Sequence, residues 1–265
     1  MNQSTVFALV GGLVLVAGVL VLSPENMGAF FNIPGLIVVI GGTLAATFVS
    51  RPVNEVKKLI RIVPELFREE ISAIDTDVAQ LIRFAERHRF SSPRAAERAL
   101  SGISNPFLSS GLRQVIEGSS LEDLTKSLHW RIAGVRSQEN GQTQILYTMA
   151  TFAPAFGMLG TLFGLVHMLS GIGESGLNEI GSAMAFAMIT TVYGIVASNL
   201  VFKPLAIKME RRTSQHLMQM TALMEGILQI HGKRHPLLIK ETLESYFAHC
   251  QAPQITPEPL TLVKA

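Results

Sequence analysis

The sequence predicts an all-α polytopic membrane protein with four transmembrane helices and a helical cytoplasmic domain. Three observations lead there. About half of the 265 residues are hydrophobic and only 16% are charged, below the share usual in soluble chains. All 22 Lys and Arg residues fall between Arg51 and Arg136 or between Lys203 and Lys264. The other long stretches carry acids alone: Glu25 before Ser50, and Glu139, Glu174 and Glu179 between Ser137 and Phe202. Cationic side chains near span ends stay on the cytoplasmic side, so both basic stretches and both termini are expected inside.

Residues 1–50 read as a first hairpin, with apolar stretches near 6–22 and 33–49. A crossing takes roughly 20 helical residues, and about 17 suffice. The first stretch lacks a basic n-region and a small-residue cleavage pattern before Pro24, so it is expected to be a retained span and not a signal peptide. Residues 51–143 read as a cytoplasmic helical domain. Val53, Val56, Leu59, Ile60, Val63 and Phe67 recur at helical spacing, as do Val78, Leu81, Ile82 and Ala85, then Leu121, Leu124, Leu128 and Ile132. Ser91-Ser92-Pro93 and Ser104-Asn105-Pro106 are turn signals between the pieces, and Ser120 is placed to cap the last helix.

The second hairpin occupies residues 144–203, with spans near 145–169 and 180–202 and a short outside loop between them. Beyond Pro204, residues 204–251 continue as cytoplasmic helices through Leu205, Met209, Leu217, Met220 and Leu223. The end, residues 252–265, holds three prolines and no periodicity and is expected to be disordered. The net charge of +2 hides a basic inside and an acidic outside, which argues against nucleic-acid binding. The lone Cys250 has no internal partner for a disulfide, which suits a reducing compartment.

Spans three and four are the unusual pair. Ala153, Gly157, Gly160, Thr161 and Gly164 share one helix face, and Ala183, Ala187, Thr190, Thr191, Gly194 and Ser198 share another. Small residues let helix backbones approach closely in lipid, and simple helix packing accounts for the glycines. The functional reading comes from an absence: no Asp, Glu, Lys or Arg lies in any of the four predicted spans. Moving a small ion across a bilayer usually needs a titratable group in the path. If this chain moves ions, another subunit must supply the carboxylate, and Thr161, Thr190 and Thr191 offer hydroxyls beside it. His167 lies near the outer end of its span, where an interfacial packing role outweighs a proton relay. Pro154 and Pro204 flank the hairpin on its cytoplasmic side, as span boundaries or as a hinge.

The run Ala153-Pro154-Ala155-Phe156-Gly157-Met158-Leu159-Gly160-Thr161-Leu162-Phe163-Gly164-Leu165, followed by Ala183-Met184-Ala185-Phe186-Ala187-Met188-Ile189-Thr190-Thr191-Val192-Tyr193-Gly194, resembles the channel signature of the MotA/TolQ/ExbB superfamily. Within it, about residues 5–250 resemble the MotA/PomA family of flagellar motor stator subunits, including Gly35 to Gly42 and Asn105-Pro106-Phe107. The resemblance implies a bacterial inner-membrane homo-oligomer, a pentamer, around a MotB/PomB-type single-span partner whose aspartate carries a proton or a sodium ion. Torque would pass to the switch-complex protein FliG of the rotor.

By motif position the family's coupling prolines fall on Pro154 and Pro204, and its pore threonines on Thr161 and Thr191, with Thr190 beside the latter. Its rotor-facing Arg and Glu, eight residues apart, fall on Arg89 and Glu97, with Arg87, Arg94 and Arg98 as competing assignments. The usual glycine after the basic pair is missing from Arg89-Phe90-Ser91-Ser92-Pro93. A TolQ/ExbB-like energising subunit, with three spans, is the second reading, and a passive membrane scaffold the third. Neither catalytic residues, nor a cofactor, nor a bound metal is expected; the only ligand is the transported ion.

Overall fold

The computed structural model describes residues 31–67, 74–90, 98, 100, 102–171 and 177–251. Among these every regular element is helical. The described residues form two compact units, one from those within 1–70 and 136–214 and one from those within 71–135 and 215–265.

In the first unit, α1 (Ile33–Ser50) begins at Asn32, whose side-chain carbonyl accepts from the Gly35 amide at 2.9 Å while Pro34 occupies the first turn. A π-helical segment, Ile37–Gly41, widens its middle. Thr43 and Thr47 are buried on α1 and satisfy their hydroxyls on the Val39 and Thr43 carbonyls at 2.6 and 2.7 Å. Arg51 is extended, as the residue before a proline must be, and this ends α1. Helix α2 (Val53–Ile62) follows, with a 3-10 turn over Val63–Phe67.

Helix α5 (Leu121–Ser170) is continuous through 50 residues and takes in both the amphipathic pattern around Leu124 and the third predicted span. Helix α6 (Leu177–Val196) runs through a π-helical segment, Ala197–Phe202, directly into α7 (Lys203–His231). The segment stands just before Pro204, which cannot donate to the helix and crowds the carbonyl four residues back. Ile33–Ser50, Leu121–Ser170 and Glu179–His231 are each long and apolar enough to cross a membrane. The first predicted span, residues 6–22, and the tail, residues 252–265, lie outside the described residues.

The units divide the chain differently from its charge pattern. Val56, Leu59 and Leu66 bury against Ile145, Leu146, Met149, Ala206 and Met209, so α2 and its turn pack on α5 and α7 with the spans. Its basic residues belong with the cytoplasmic stretch by charge, but its apolar face has its partners on the span helices.

The second unit packs α3 (Ile74–Phe90), α4 (Pro106–Ile116), residues 121–135 of α5, residues 215–231 of α7 and α8 (Pro236–Gln251). Leu81, Phe84, Leu108, Leu112, Leu124, Leu128, Ile227, Ile239 and Leu243 form its core. Each contributes roughly 1.5–3 kcal/mol of burial, so this unit is held together as a water-soluble helical domain is. Asn105 starts α4 by accepting from the Phe107 and Leu108 amides, and its own amide donates to Asp77 on α3 at 2.6 Å. Gly118, at φ +74°, closes α4 in the left-handed region. Ser120 then caps α5, its hydroxyl accepting from the Asp123 amide at 3.1 Å.

Candidate functional site

Small residues bring α5 and α6 into backbone contact. A Cβ on Gly157 would stand 3.0 Å from the Thr190 carbonyl oxygen and 3.3 Å from the Thr191 Cα. On Gly164 it would stand 2.7 Å from the Ala187 Cβ, and on Gly194 2.6 Å from the Ala153 carbonyl oxygen. Lipid supplies no hydrophobic drive to pair two helices, so this close fit is what joins them. All four glycines singled out by spacing, Gly157, Gly160, Gly164 and Gly194, line this seam.

The structure adds a third wall that spacing did not show. A Cβ on Gly35 of α1 would stand 3.0 Å from the Thr190 methyl, and one on Gly42 would overlap the Phe156 ring. Thr190 is thus enclosed by Gly35, Gly160 and its own helix, fully buried, with its hydroxyl donating to the Ala187 carbonyl at 2.8 Å. One turn below, the Tyr193 hydroxyl accepts from the Asn32 amide at 3.0 Å and fixes the start of α1 at this level.

Thr161 and Thr191 are placed differently from Thr190. Both are only half-buried within the chain. The Thr161 hydroxyl donates to the Met158 carbonyl at 2.6 Å, leaving its lone pairs available, and Thr191 follows Thr190 at the level of Gly157. The three threonines therefore cluster at one depth, two with a partly open face and one committed to packing. No carboxylate or ammonium is available at that depth, since residues 145–169 and 180–202 contain neither. Among the described residues no group of His, Cys, Asp and Glu is arranged to hold a metal ion.

Pro154 lies inside α5, against Gly194, whose added Cβ would stand 3.2 Å from the Pro154 Cα. Pro204 is exposed, ten residues beyond Gly194 and so about 15 Å further along its helix, and the two prolines do not meet. The group that sequence spacing left unassigned is Ser198. Pro154 has no N–H, so the Ala150 carbonyl four residues back lacks its helical donor. The Ser198 hydroxyl donates to that oxygen at 2.6 Å, with both residues buried. Half of this pairing was readable, because a proline names the carbonyl it orphans; the donor was one hydroxyl among several.

At the same end of the hairpin, one turn before Ala150, the Tyr147 hydroxyl donates to Glu210 at 2.8 Å, joining α5 to α7. His167 is exposed. Of the loop charges, Arg89 occupies the penultimate position of α3, and Glu97 and Arg94 lie outside the described residues. Arg83 and Arg87 on α3, and Arg98, are exposed.

Residues 99–222 match the sequence profile of the MotA/TolQ/ExbB proton channel family. The chain is 29% identical to Motility protein A of Borreliella burgdorferi over 84% of its length and 85% of that protein. It is 28% identical to chemotaxis protein PomA of Vibrio alginolyticus over 93% of its length and 95% of that protein. Its fold matches the structure of C. jejuni MotAB with a TM-score of 0.84, at 20% identity over 97% of this chain and all of that one. It also matches the flagellar MotAB stator complex from Bacillus subtilis with a TM-score of 0.80, at 23% identity over 92% and 95% of the two chains.

Proposed function

From the match of residues 99–222 to the MotA/TolQ/ExbB proton channel family and the likeness to motility proteins over most of the chain, we propose that this chain is a stator subunit of a bacterial flagellar motor, coupling ion flow to torque. The observation that carries the reading is a cluster of threonines, Thr190 buried and Thr161 and Thr191 half-buried, on spans free of charged side chains. A path lined by hydroxyls needs a carrier, and the chain has none at that depth. A single-span partner of the MotB/PomB type brings the aspartate. Thr161 and Thr191 face the ion and its carboxylate, and Thr190 holds the wall behind them against α1.

Several copies of the chain, five by family pattern, surround the partner in the inner membrane. The basic segments lie on the cytoplasmic side with both termini, and residues 1–50 cross twice. Pro154 and Pro204 flank the hairpin that transmits the movement. Arg89 and Glu97 face FliG on the rotor, where weak, salt-sensitive contacts suit a part that must step. The work is transport and mechanics without bond chemistry, and the transported ion is a proton or sodium. Relatives named for motility and chemotaxis, matched over 84% and 93% of the chain, favour the stator over an energising subunit of a TolQ/ExbB-like complex.

Deletion of the gene should leave flagella assembled but without torque, and re-expression with the partner should restore it; normal swimming in the deletion strain would refute the reading in a host with no second stator set. Swimming speed with and without sodium at fixed proton motive force then names the ion.

A further inference from the structure

We propose that Ser198 is a positioning residue that ties the carbonyl orphaned by Pro154 in α5 to the π-helical segment leading to Pro204, so that the two proline sites move as one. The inference rests on the stator reading for its functional consequence, but the tie itself stands on geometry.

The need for a donor comes first. In a bilayer a backbone carbonyl that loses its helical partner has no water to turn to, and it must be satisfied by a neighbouring helix or a nearby hydroxyl. Ala150 is in that position because Pro154 supplies no N–H. The Ser198 hydroxyl reaches its oxygen at 2.6 Å from the other arm of the hairpin.

The reach depends on the seam beside it. Gly194 stands one turn before Ser198, and its missing side chain lets α6 approach Ala153 and Pro154 closely enough for a one-carbon side chain to bridge the helices. A larger residue at 194 would move Ser198 out of range.

Ser198 also anchors the segment on its own helix. It is the second residue of the π-helical segment Ala197–Phe202, and its carbonyl accepts the Lys203 amide that closes the segment. Lys203 directly precedes Pro204. One residue therefore holds the orphaned carbonyl of α5 with its side chain and the wide turn of α6 with its backbone. The prolines, about 15 Å apart along the hairpin, communicate through this residue and not by contact. A π-helical segment departs from the regular α-helical ladder, so a shift of α5 at Pro154 pulls directly on the irregular turn of the hairpin.

The test uses the full complex of this chain with its single-span partner. Ser198→Ala should leave membrane levels normal, lower the complex's Tm in detergent, and lower swimming torque and ion flux per assembled complex roughly 3- to 10-fold, the population shift that loss of one such interhelical bond brings. Ser198→Thr, which keeps the hydroxyl, should restore all three. Pro154→Ala returns a backbone N–H to position 154, so on that background Ser198→Ala should change Tm far less than on the native one. An equal Tm drop on both backgrounds, or wild-type torque in Ser198→Ala, would overturn the proposal. The Tm cycle does not depend on motility: a coupled cycle in a protein whose deletion leaves swimming intact would keep the tie and discard the stator reading, whereas an additive cycle discards the tie alone.

Discussion

A Cβ placed on Gly160 would stand 2.6 Å from both the Cβ and the hydroxyl oxygen of Thr190. Thr190 has nowhere to retreat, because its methyl rests on Gly35 of α1. Gly160→Ala should therefore force α5 and α6 apart at a cost of about 1–3 kcal/mol, the range for overpacking a well-filled core. Gly181→Ala, where nothing lies within 4 Å, is the matched control. The Tm of the purified complex should fall for the first and hold or rise slightly for the second, where only the helical preference of alanine acts; equal behaviour would mean that the seam is slack.

Thr191→Val keeps the size of the side chain and removes its hydroxyl. Because Thr191 is only half-buried and Thr190 is enclosed, the loss should appear in transport and not in assembly. One hydrogen bond or ligand of this kind is worth ~0.5–1.5 kcal/mol, so ion flux should drop about 2- to 10-fold at normal membrane levels. Flux measured in vesicles decides it, and unchanged flux would remove Thr191 from the path.

Three of the four predicted spans and the small-residue faces were legible in the sequence because lipid imposes strict composition: long apolar runs, and glycine where backbones must touch. Gly157, Gly160, Gly164 and Gly194 could be placed on facing stripes from spacing alone. The fit of Gly35 against Thr190, and of Gly42 against the Phe156 ring, could not, since both join helices far apart in the chain and neither glycine carries a mark of its partner. The same limit applied to α2, whose charges assign it to one side of the membrane and whose buried Val56 and Leu59 assign it to the span helices. Asn105 was read as a turn residue; its bond to Asp77, which links α4 to α3, needed the fold.

Asn105→Ala should destabilise the second unit. It removes an N-cap, worth about 0.5–2 kcal/mol, together with the hydrogen bond that Asp77 receives from the Asn105 amide. Asn105→Asp keeps the cap acceptor but sets a carboxylate against Asp77, so it should recover little of the loss. Circular dichroism melts of the three complexes rank them; a native-like melt for Asn105→Ala would show that the Pro106 start suffices by itself.

Arg89 stands near the end of α3, and its proposed role is electrostatic. Arg89→Glu should reduce torque with normal assembly, and a complementary charge reversal on the rotor protein should restore part of it. Surface ion pairs are worth about 0–1 kcal/mol each, so the single change should weaken the motor without stopping it, most visibly at low ionic strength, where the charges are least screened. Torque measured with tethered cells in the single and paired variants checks this, and the absence of rescue by any acidic partner position would leave Arg89 outside the rotor contact.

Gly134 and Gly141 lie seven residues apart on α5, and a Cβ at either would meet nothing within 4 Å. A glycine inside a helix costs roughly 0.5–1 kcal/mol relative to alanine, through the backbone freedom it retains in the unfolded chain. With space open around them in the single chain, Gly134→Ala and Gly141→Ala should each raise the Tm of the complex, and together they should act additively because they share no neighbours. Residues seven apart fall on one helix face, and that face is also where a second copy of the chain could bring its backbone close. A Tm that falls for both variants, with a matching loss of oligomer on a native gel, would mean that the glycines are there for a neighbouring subunit and that the open space around them closes on assembly.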